Sequence, residues 1–382
     1  MQDNIPKVKD EQKEETQLLA RGKNVKTMPR KMIKGTNLPS LTQLEKQVKE
    51  SVVGQDEAVK RVLLAIYRSL KIRTIKTNML IIGASGSGKT ETMKQIAKML
   101  GVPYTIEDAT KYTKEGYQGS DVMEMVVNLY NSASKYARKV DDNLYDVKDA
   151  IKKAEKGMLI IDEIDKKCNE DPRDGLAGKD VLKSMLKLIE GLTILAGEVI
   201  GEKEQYFPIY INTSNMLVIL MGAFEGIEKI REKRLRKKQN IGFSGVSEKK
   251  EEIQDPRYTK EDLIEYGLPV EFAGRIDTIV EYKKLSIESL EKIARESKLS
   301  AFRKYEKYFA EQGIVLEYQE DIFKEIAKKA SSTKTGAREL SNVANEIFEP
   351  ILAEIFSNPD ANYTHCILKP DFVQNPKSYE LK

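Results

Sequence analysis

The spacing of hydrophobic positions changes several times along the chain. Early in the chain Val59, Val62, Leu63 and Ile66 recur at the three- and four-residue spacing of a helix. Farther along, short apolar runs are bounded by turns, and helical patterns lie between them. The runs are MLII (79–82), YTI (104–106), MLII (158–161), MLVILM (216–221) and TIV (278–280). Alternation of this kind is typical of an α/β fold in which helices cover a mostly parallel sheet.

The pattern differs after residue 285, where long amphipathic helical segments replace the alternation. Two such segments begin at SIESLEKIARE and TGARELSNVANE, and the apolar runs IVLEY and HCIL predict two minor strands. We therefore expect a large α/β domain over residues 37–284 and a small, mostly helical domain over residues 285–382. Residues 1–36 are polar and weakly periodic, which indicates a tail with little stable structure.

Composition narrows the function classes. The chain has 382 residues, of which 40% are hydrophobic and 32% charged, and its net charge is +4 at pH 7. A balance this close to neutral argues against a nucleic-acid or anionic-membrane binder. Two cysteines, Cys168 and Cys366, are too few for a disulfide framework or a four-cysteine zinc site. The chain has no apolar run of roughly 18 residues and no signal peptide, so we expect a cytoplasmic protein.

The stretch GASGSGKT, residues 83–90, follows a buried apolar run and precedes an amphipathic helical pattern. Its glycines allow backbone N–H groups to turn toward an anion, and the following helix start adds a positive dipole end. Lys89 would contact the outer phosphates of a nucleotide, and Thr90 would hold Mg²⁺. The alternative is a glycine-serine turn that matches the motif by chance. Such a turn would not need a strand before it and a helix after it. The expected nucleotide-binding positions are Gly83, Ala84, Ser85, Gly86, Ser87, Gly88, Lys89, Thr90 and Glu91.

The second half of the expected site is IIDEIDK, where an apolar run delivers Asp162 and Glu163 to the end of a strand. Asp162 suits Mg²⁺, directly or through water. Glu163 would orient and deprotonate the attacking water, a role worth about 10² to 10⁴ in rate. Acidic residues after a strand are often only solvated, but with Lys89 they predict a nucleoside triphosphate hydrolase.

Further stretches follow one another in order around these two motifs. They are VVGQDEAVKRV, DATKYTKEGYQGSDV, MLKLIEG, NTSNMLVILMGAFEGIEKI, LIEYGLPVEFAGRID and KTGAREL. Together they resemble the ATPase core of the ClpX family, the AAA+ protein unfoldases, over most of the chain. The resemblance implies an AAA+ P-loop fold with a small helical domain, ATP and Mg²⁺ as cofactors, and a ring-shaped homohexamer.

The resemblance also implies roles near the nucleotide. Val52 and Val53 would line the adenine pocket, although two valines packing at the start of a helix would look the same. Arg275, in EFAGRID, would be an arginine finger that reaches the γ-phosphate of a neighbouring subunit, and a surface salt bridge is the alternative. Arg338, in TGAREL, would be the sensor-2 arginine that links the small domain to the nucleotide. The sensor-1 position stays unassigned.

Two further motifs indicate what the energy of ATP hydrolysis is used for. GYQG, residues 116–119, resembles the family's pore loop, in which Tyr117 would grip a polypeptide without sequence preference. The alternative is an ordinary turn with a half-buried tyrosine. Ile241, Gly242 and Phe243, in NIGFSG, resemble the tip by which ClpX docks on the ClpP peptidase ring. Here the alternative is a loop that folds back on its own core.

The chain also departs from the family. Its two cysteines cannot build the family's N-terminal zinc domain, and GEVIGEKEQYF has acids where the family has a basic loop at the pore entrance. We therefore expect a different tag preference. The sequence predicts an ATP-driven protein unfoldase that regulates a ClpP-type peptidase. The alternatives are a remodeller of specific complexes that needs no peptidase and, against the charge balance, a nucleic-acid motor.

Overall fold

A computed structural model describes residues 19–21, 39–71, 77–112, 121–141, 144–168, 177–200, 206–240, 256–319, 321–333, 335–373 and 379–382. Its helices are α1 (Leu41–Lys49), α2 (Asp56–Lys71), α3 (Lys89–Leu100), α4 (Glu124–Ser134), α5 (Val147–Ala154), α6 (Ala177–Glu190), α7 (Ile227–Asn240), α8 (Lys260–Tyr266), α9 (Val270–Gly274), α10 (Ile287–Glu296), α11 (Ala301–Glu311), α12 (Ile322–Ser331) and α13 (Glu339–Ser357). Its strands are β1 (Leu19–Arg21), β2 (Asn78–Ile82), β3 (Tyr104–Asp108), β4 (Lys139–Asp141), β5 (Leu144–Asp146), β6 (Met158–Asp162), β7 (Thr193–Ile200), β8 (Tyr206–Asn212), β9 (Leu217–Gly222), β10 (Thr278–Glu281), β11 (Val315–Tyr318), β12 (His365–Leu368) and β13 (Tyr379–Leu381).

The five apolar runs seen in the sequence form one central sheet. Its strand order is β10-β2-β9-β6-β3, and every neighbouring pair is parallel. Both faces are covered, because all residues of β2 and β9 are buried. The predicted α/β class with a mostly parallel sheet is therefore confirmed.

Alternate residues of each central strand pack into different cores. Leu80 and Ile82 of β2 join the core on the face covered by α4, α5 and α6. Met79 and Ile81 join the core on the other face, which α1, α2 and α3 cover. This separation follows from the two-residue period of a strand. The parallel direction brings the carboxyl ends of β2, β6 and β9 to one edge of the sheet, which is where a nucleotide site is expected.

A third core begins at Leu285 and holds the C-terminal helices together. Its largest buried side chains include Phe302, Phe309 and Phe348, whose rings contact one another at centroid distances of 5.7 and 6.1 Å. A small sheet in the order β11-β12-β13 closes this domain. The runs IVLEY and HCIL supply β11 and β12.

Two short sheets were not anticipated from the sequence. Strands β7 and β8 form an antiparallel ribbon, and β1, β5 and β4 form a three-stranded sheet. Strand β1 comes from the segment expected to be a tail, and it pairs antiparallel with β5. Within the described ranges, no helix is long and apolar enough to cross a membrane.

Candidate nucleotide-binding site

The phosphate-binding loop, residues 83–90, connects β2 to α3. Gly86 has φ +69° and Gly88 has φ +96°, a left-handed conformation in which a side chain would be strained. Gly88 is also the N-cap of α3, so the loop ends at a helix N-terminus. This geometry supplies backbone N–H groups and a positive dipole end on one side of the loop.

Lys89 is buried at the start of α3. Its Nζ donates hydrogen bonds to the carbonyl oxygens of Gly83 at 2.6 Å and Ala84 at 3.1 Å. Burial lowers the pKa of Lys89, and the nearby carboxylate of Asp162 partly opposes that shift. A phosphate beside Nζ would oppose it further, because an opposite charge favours the ammonium form.

Thr90 and Asp162 meet across the loop. The Thr90 hydroxyl donates to Oδ2 of Asp162 at 2.9 Å, although 72 positions separate the two residues. A hydroxyl and a carboxylate oxygen at this distance form the hard-oxygen donor set that suits Mg²⁺. The residues present therefore fit a magnesium ion that also contacts nucleotide phosphates.

Glu163 follows Asp162 at the end of β6 and is exposed to the cleft. Its backbone is left-handed, with φ +59°, and its N–H donates to Oδ1 of Asp162 at 3.0 Å. A non-glycine residue in this conformation costs of order 1–3 kcal/mol, and such strain persists mainly at functional sites. The turn aims the two adjacent carboxylates differently: one meets Thr90 and the other faces the cleft.

Asp165 is a site residue that sequence reasoning missed. Its buried carboxylate accepts hydrogen bonds from the backbone N–H groups of Ala223 at 3.2 Å and Phe224 at 3.3 Å. These bonds join the end of β6 to the end of β9, which fixes the direction in which β6 delivers Glu163. The only signal in the sequence is the second aspartate of DEID, and a solvated surface residue would look the same.

Both domains line the nucleotide cleft, whose volume is about 540 Å³. Residues 85–91, Asp162 and Glu163 line it, whereas Gly83 and Ala84 are not among the described residues that line it. Val52 and Val53 also line it, with Val52 buried and Val53 half-buried. Sequence reasoning missed three small-domain residues that also line the cleft, because an isolated leucine or isoleucine carries no sign of a ligand. They are Leu285, Ile293 and Leu299.

The small domain touches the phosphate-binding loop directly. The N–H of Ala337 donates to the carbonyl oxygen of Gly86 at 3.1 Å. A Cβ built on Gly86 would lie 1.9 Å from the carbonyl oxygen of Thr335, so only glycine permits this approach. Arg338, the next residue along, lines the cleft. The structure thus brings the predicted sensor-2 arginine to the nucleotide site of its own chain.

Arg275 is not among the residues that line this cleft. It ends α9, its side chain is exposed, and it forms an ion pair with Glu190 at 2.7 Å. An exposed pair of this kind contributes little stability. The arginine is therefore accessible to a second molecule rather than to the nucleotide of its own chain.

Four predicted functional residues lie outside the described residues. They are Tyr117 of the predicted pore loop and the three docking-tip residues Ile241, Gly242 and Phe243. The acidic segment at the end of the β7–β8 ribbon, residues 201–205, also lies outside them.

Comparison with known proteins places this arrangement in a family. Residues 75–279 match the AAA domain (Cdc48 subfamily), and residues 285–364 match the C-terminal, D2-small domain of ClpB protein. The chain is 32% identical over 340 residues to the ATP-dependent Clp protease ATP-binding subunit ClpX 2 of Wolinella succinogenes, covering 85% of this chain and 80% of that protein. It is 33% identical over 339 residues to the corresponding ClpX subunit of Borrelia duttonii, covering 84% and 76%. The chain belongs to the ClpX family of AAA+ ATPases, enzymes that bind and hydrolyse ATP.

Proposed function

We propose that the protein is an ATP-driven unfoldase that threads substrate proteins through the pore of a homohexameric ring into a ClpP-type peptidase. The observation that carries this proposal is the similarity to ClpX subunits over 85% of the chain and 80% of the relative. The similarity extends across both domains, so it includes the parts that would convert hydrolysis into motion as well as the catalytic loop.

The nucleotide cleft supports a specific division of labour in hydrolysis. The phosphate-binding loop and Lys89 hold the phosphates, and Thr90 with Asp162 holds Mg²⁺. The ion would neutralise charge on the transferring phosphoryl group. Glu163 accepts the proton of the attacking water, because its carboxylate faces the cleft and is not engaged by Thr90.

Two arginines complete the proposed catalytic site from different places. Arg338 lines the cleft of its own chain and reports the nucleotide to the small domain. Arg275 acts on the neighbouring subunit, since it is exposed and does not line its own cleft. A residue that works on a neighbour requires a closed assembly if every site is to be complete, and the proposed ring is such an assembly.

A hydrogen bond supports coupling between the catalytic turn and the pore loop. The 3₁₀ turn Ile164–Lys167 follows Glu163 directly. Lys167 Nζ donates to the carbonyl oxygen of Tyr112 at 3.0 Å, and Tyr112 is the last described residue before the segment that carries Tyr117. A movement of the turn during hydrolysis would thus reach the base of the segment in which Tyr117 grips the substrate.

Peptidase docking is assigned to Ile241 and Phe243, an apolar pair in a charged segment of sequence. The cytoplasm is the proposed compartment, where unfolding and degradation of soluble proteins take place. Substrate tags should differ from those of relatives with a basic pore entrance.

The decisive experiment measures loss of fluorescence from a folded, tagged fluorescent protein with ATP, with and without a ClpP ring. We expect a loss of fluorescence that requires ATP.

Tyr117→Ala should abolish this loss of fluorescence and leave basal ATP hydrolysis unchanged, because gripping the substrate is separate from hydrolysis. Phe243→Ala should retain unfolding and lose only the stimulation of peptide cleavage.

The outcomes separate the competing functions. Unfolding by the Tyr117→Ala variant at the normal rate would contradict the pore-grip role. Rapid ATP hydrolysis without unfolding of any tagged substrate would favour a remodeller that acts on specific complexes. Tight, salt-sensitive DNA binding would favour a nucleic-acid motor.

A further inference from the structure

Gln55 is a buried polar residue to which none of the roles above has been assigned. It lies between α1 and α2, directly after Gly54, and only 4% of its surface is exposed. Its side-chain amide is fully hydrogen-bonded. Nε2 donates to the carbonyl oxygens of Ser87 at 3.1 Å and Lys283 at 2.7 Å, and Oε1 accepts from the N–H of Lys283 at 3.1 Å.

Two of these three bonds hold the connection between the domains. Lys283 lies between β10, the edge strand of the central sheet, and Leu285, the first residue of the small-domain core. The preceding residue is held too, because the N–H of Tyr282 donates to the carbonyl oxygen of Ile82 at 2.7 Å. The linker therefore starts beside the phosphate-binding loop, and Gln55 pairs with its backbone as a neighbouring strand would.

The third bond holds the phosphate-binding loop at the peptide unit between Ser87 and Gly88. A trans peptide is planar and directs its N–H and its C=O to opposite sides, and the described residues contain no cis peptide. The carbonyl of this unit accepts from Gln55. Its N–H belongs to Gly88, the N-cap of α3. When that N–H turns toward a phosphate, the carbonyl on the other side must turn as well.

The preceding peptide unit is held by the small domain in the same way. The carbonyl oxygen of Gly86 accepts from the N–H of Ala337. Two consecutive carbonyls of the loop are thus hydrogen-bonded: that of Ser87 to Gln55, and that of Gly86 to Ala337 of the small domain. The residues just before Gln55 make further contacts with the small domain. Ser297 Oγ donates to the carbonyl oxygen of Ser51 at 3.2 Å, and Lys298 forms an ion pair with Glu50 at 2.6 Å.

We propose that Gln55 is a positioning residue that couples the phosphate-binding loop to the interdomain linker. Binding of the nucleotide phosphates reorients the Ser87–Gly88 peptide, Gln55 follows the Ser87 carbonyl, and the backbone of Lys283 follows Gln55. The angle between the domains then responds to the nucleotide. By thermodynamic linkage the domain angle also affects nucleotide affinity. This inference depends on ATP binding, and it stands whether or not the protein unfolds substrates.

The test measures the distance between the domains by fluorescence energy transfer. Lys98→Cys on α3 and Lys307→Cys on α11 provide exposed attachment sites. The native cysteines will not compete for the label, because burial raises the pKa of both thiols, Cys168 and Cys366, to about 12. Transfer efficiency is compared with and without a slowly hydrolysed ATP analogue.

Gln55→Met removes all three hydrogen bonds at similar side-chain volume. We expect the nucleotide-dependent change in transfer efficiency to fall by at least about half, while the Kd for the analogue rises by less than about tenfold. The matched control is Gln95→Met on α3, where the amide Nε2 donates to Oε1 of Glu91 at 2.6 Å. The control should keep the full change.

Gln55→Asn guards against a variant that simply fails to fold, because it keeps an amide and buries no charge. Its side chain is one methylene shorter and cannot reach both Ser87 and Lys283, so it should also lose the response. A full nucleotide-dependent change in either folded variant would overturn the proposal. Absence of any change in the unsubstituted protein would overturn it as well, since no response would then exist to transmit.

Discussion

A Glu163→Gln variant should bind ATP normally and hydrolyse it at least about a hundredfold more slowly. The glutamine keeps the shape of the side chain and cannot accept the proton of the attacking water. Folding should be unaffected, because the Glu163 side chain is exposed and the strained backbone at φ +59° is unchanged. Binding is checked with a fluorescent ATP analogue and turnover by phosphate release.

Glu225→Gln provides the matched control for this variant. Glu225 is also an exposed acid on the wall of the same cleft, so the substitution removes the same charge from the same site. Its hydrolysis rate should stay within about threefold of the unsubstituted protein, because no chemistry is assigned to it. Equal losses in the two variants would show that net charge matters, and retained turnover in Glu163→Gln would remove Glu163 from the role of base.

An Arg275→Ala variant should lose about 10³-fold in hydrolysis and retain nucleotide binding, because a finger arginine stabilises charge that develops only in the transition state. The side chain is exposed and its ion pair with Glu190 adds little stability, so the fold should survive. Glu190→Gln removes the same ion pair and leaves the arginine in place. This control should hydrolyse ATP at near the normal rate.

Mixing two inactive variants tests whether Arg275 acts on a neighbour. In a ring that contains Arg275→Ala and Glu163→Gln subunits, an Arg275→Ala subunit keeps Glu163 and can receive an intact arginine from the adjacent subunit. Some sites are then complete, and activity should return on mixing. If Arg275 acted within its own chain, every site would lack one residue, and mixing would restore nothing.

The sequence predicted the features that depend on residues close together in the chain. The five apolar runs predicted five strands. The reason is clearest for β2, β6 and β9, because central strands of a parallel sheet are covered on both faces and need continuous hydrophobic residues. GASGSGKT predicted the turn from β2 into α3 because its glycines and helix start are contiguous. The aliphatic face of α2 was also predicted from its spacing, and its four residues are all buried: Val59, Val62, Leu63 and Ile66.

Periodicity could not reveal the short strands outside the central sheet. Strands β4 and β5 have three residues each, too short to establish a two-residue period. The pairing of β1 with β5 joins segments more than a hundred positions apart. Such pairing depends on a partner strand rather than on any local preference.

Contacts at and near the domain boundary could not be predicted from the sequence. The residue types at positions 55, 283 and 337 indicate no particular function. The hydrogen bonds of Gln55 join residues that are 32 and 228 positions away in the chain. Their partners are backbone carbonyls and N–H groups, which every residue carries, so no residue type marks them. The sequence was enough to predict the phosphate-binding loop, the acids at the end of β6 and the sheet that brings them together. The tertiary structure alone revealed which side chains enclose the cleft and that Gln55 joins its loop to the linker, because those contacts depend on how segments far apart in the chain pack together.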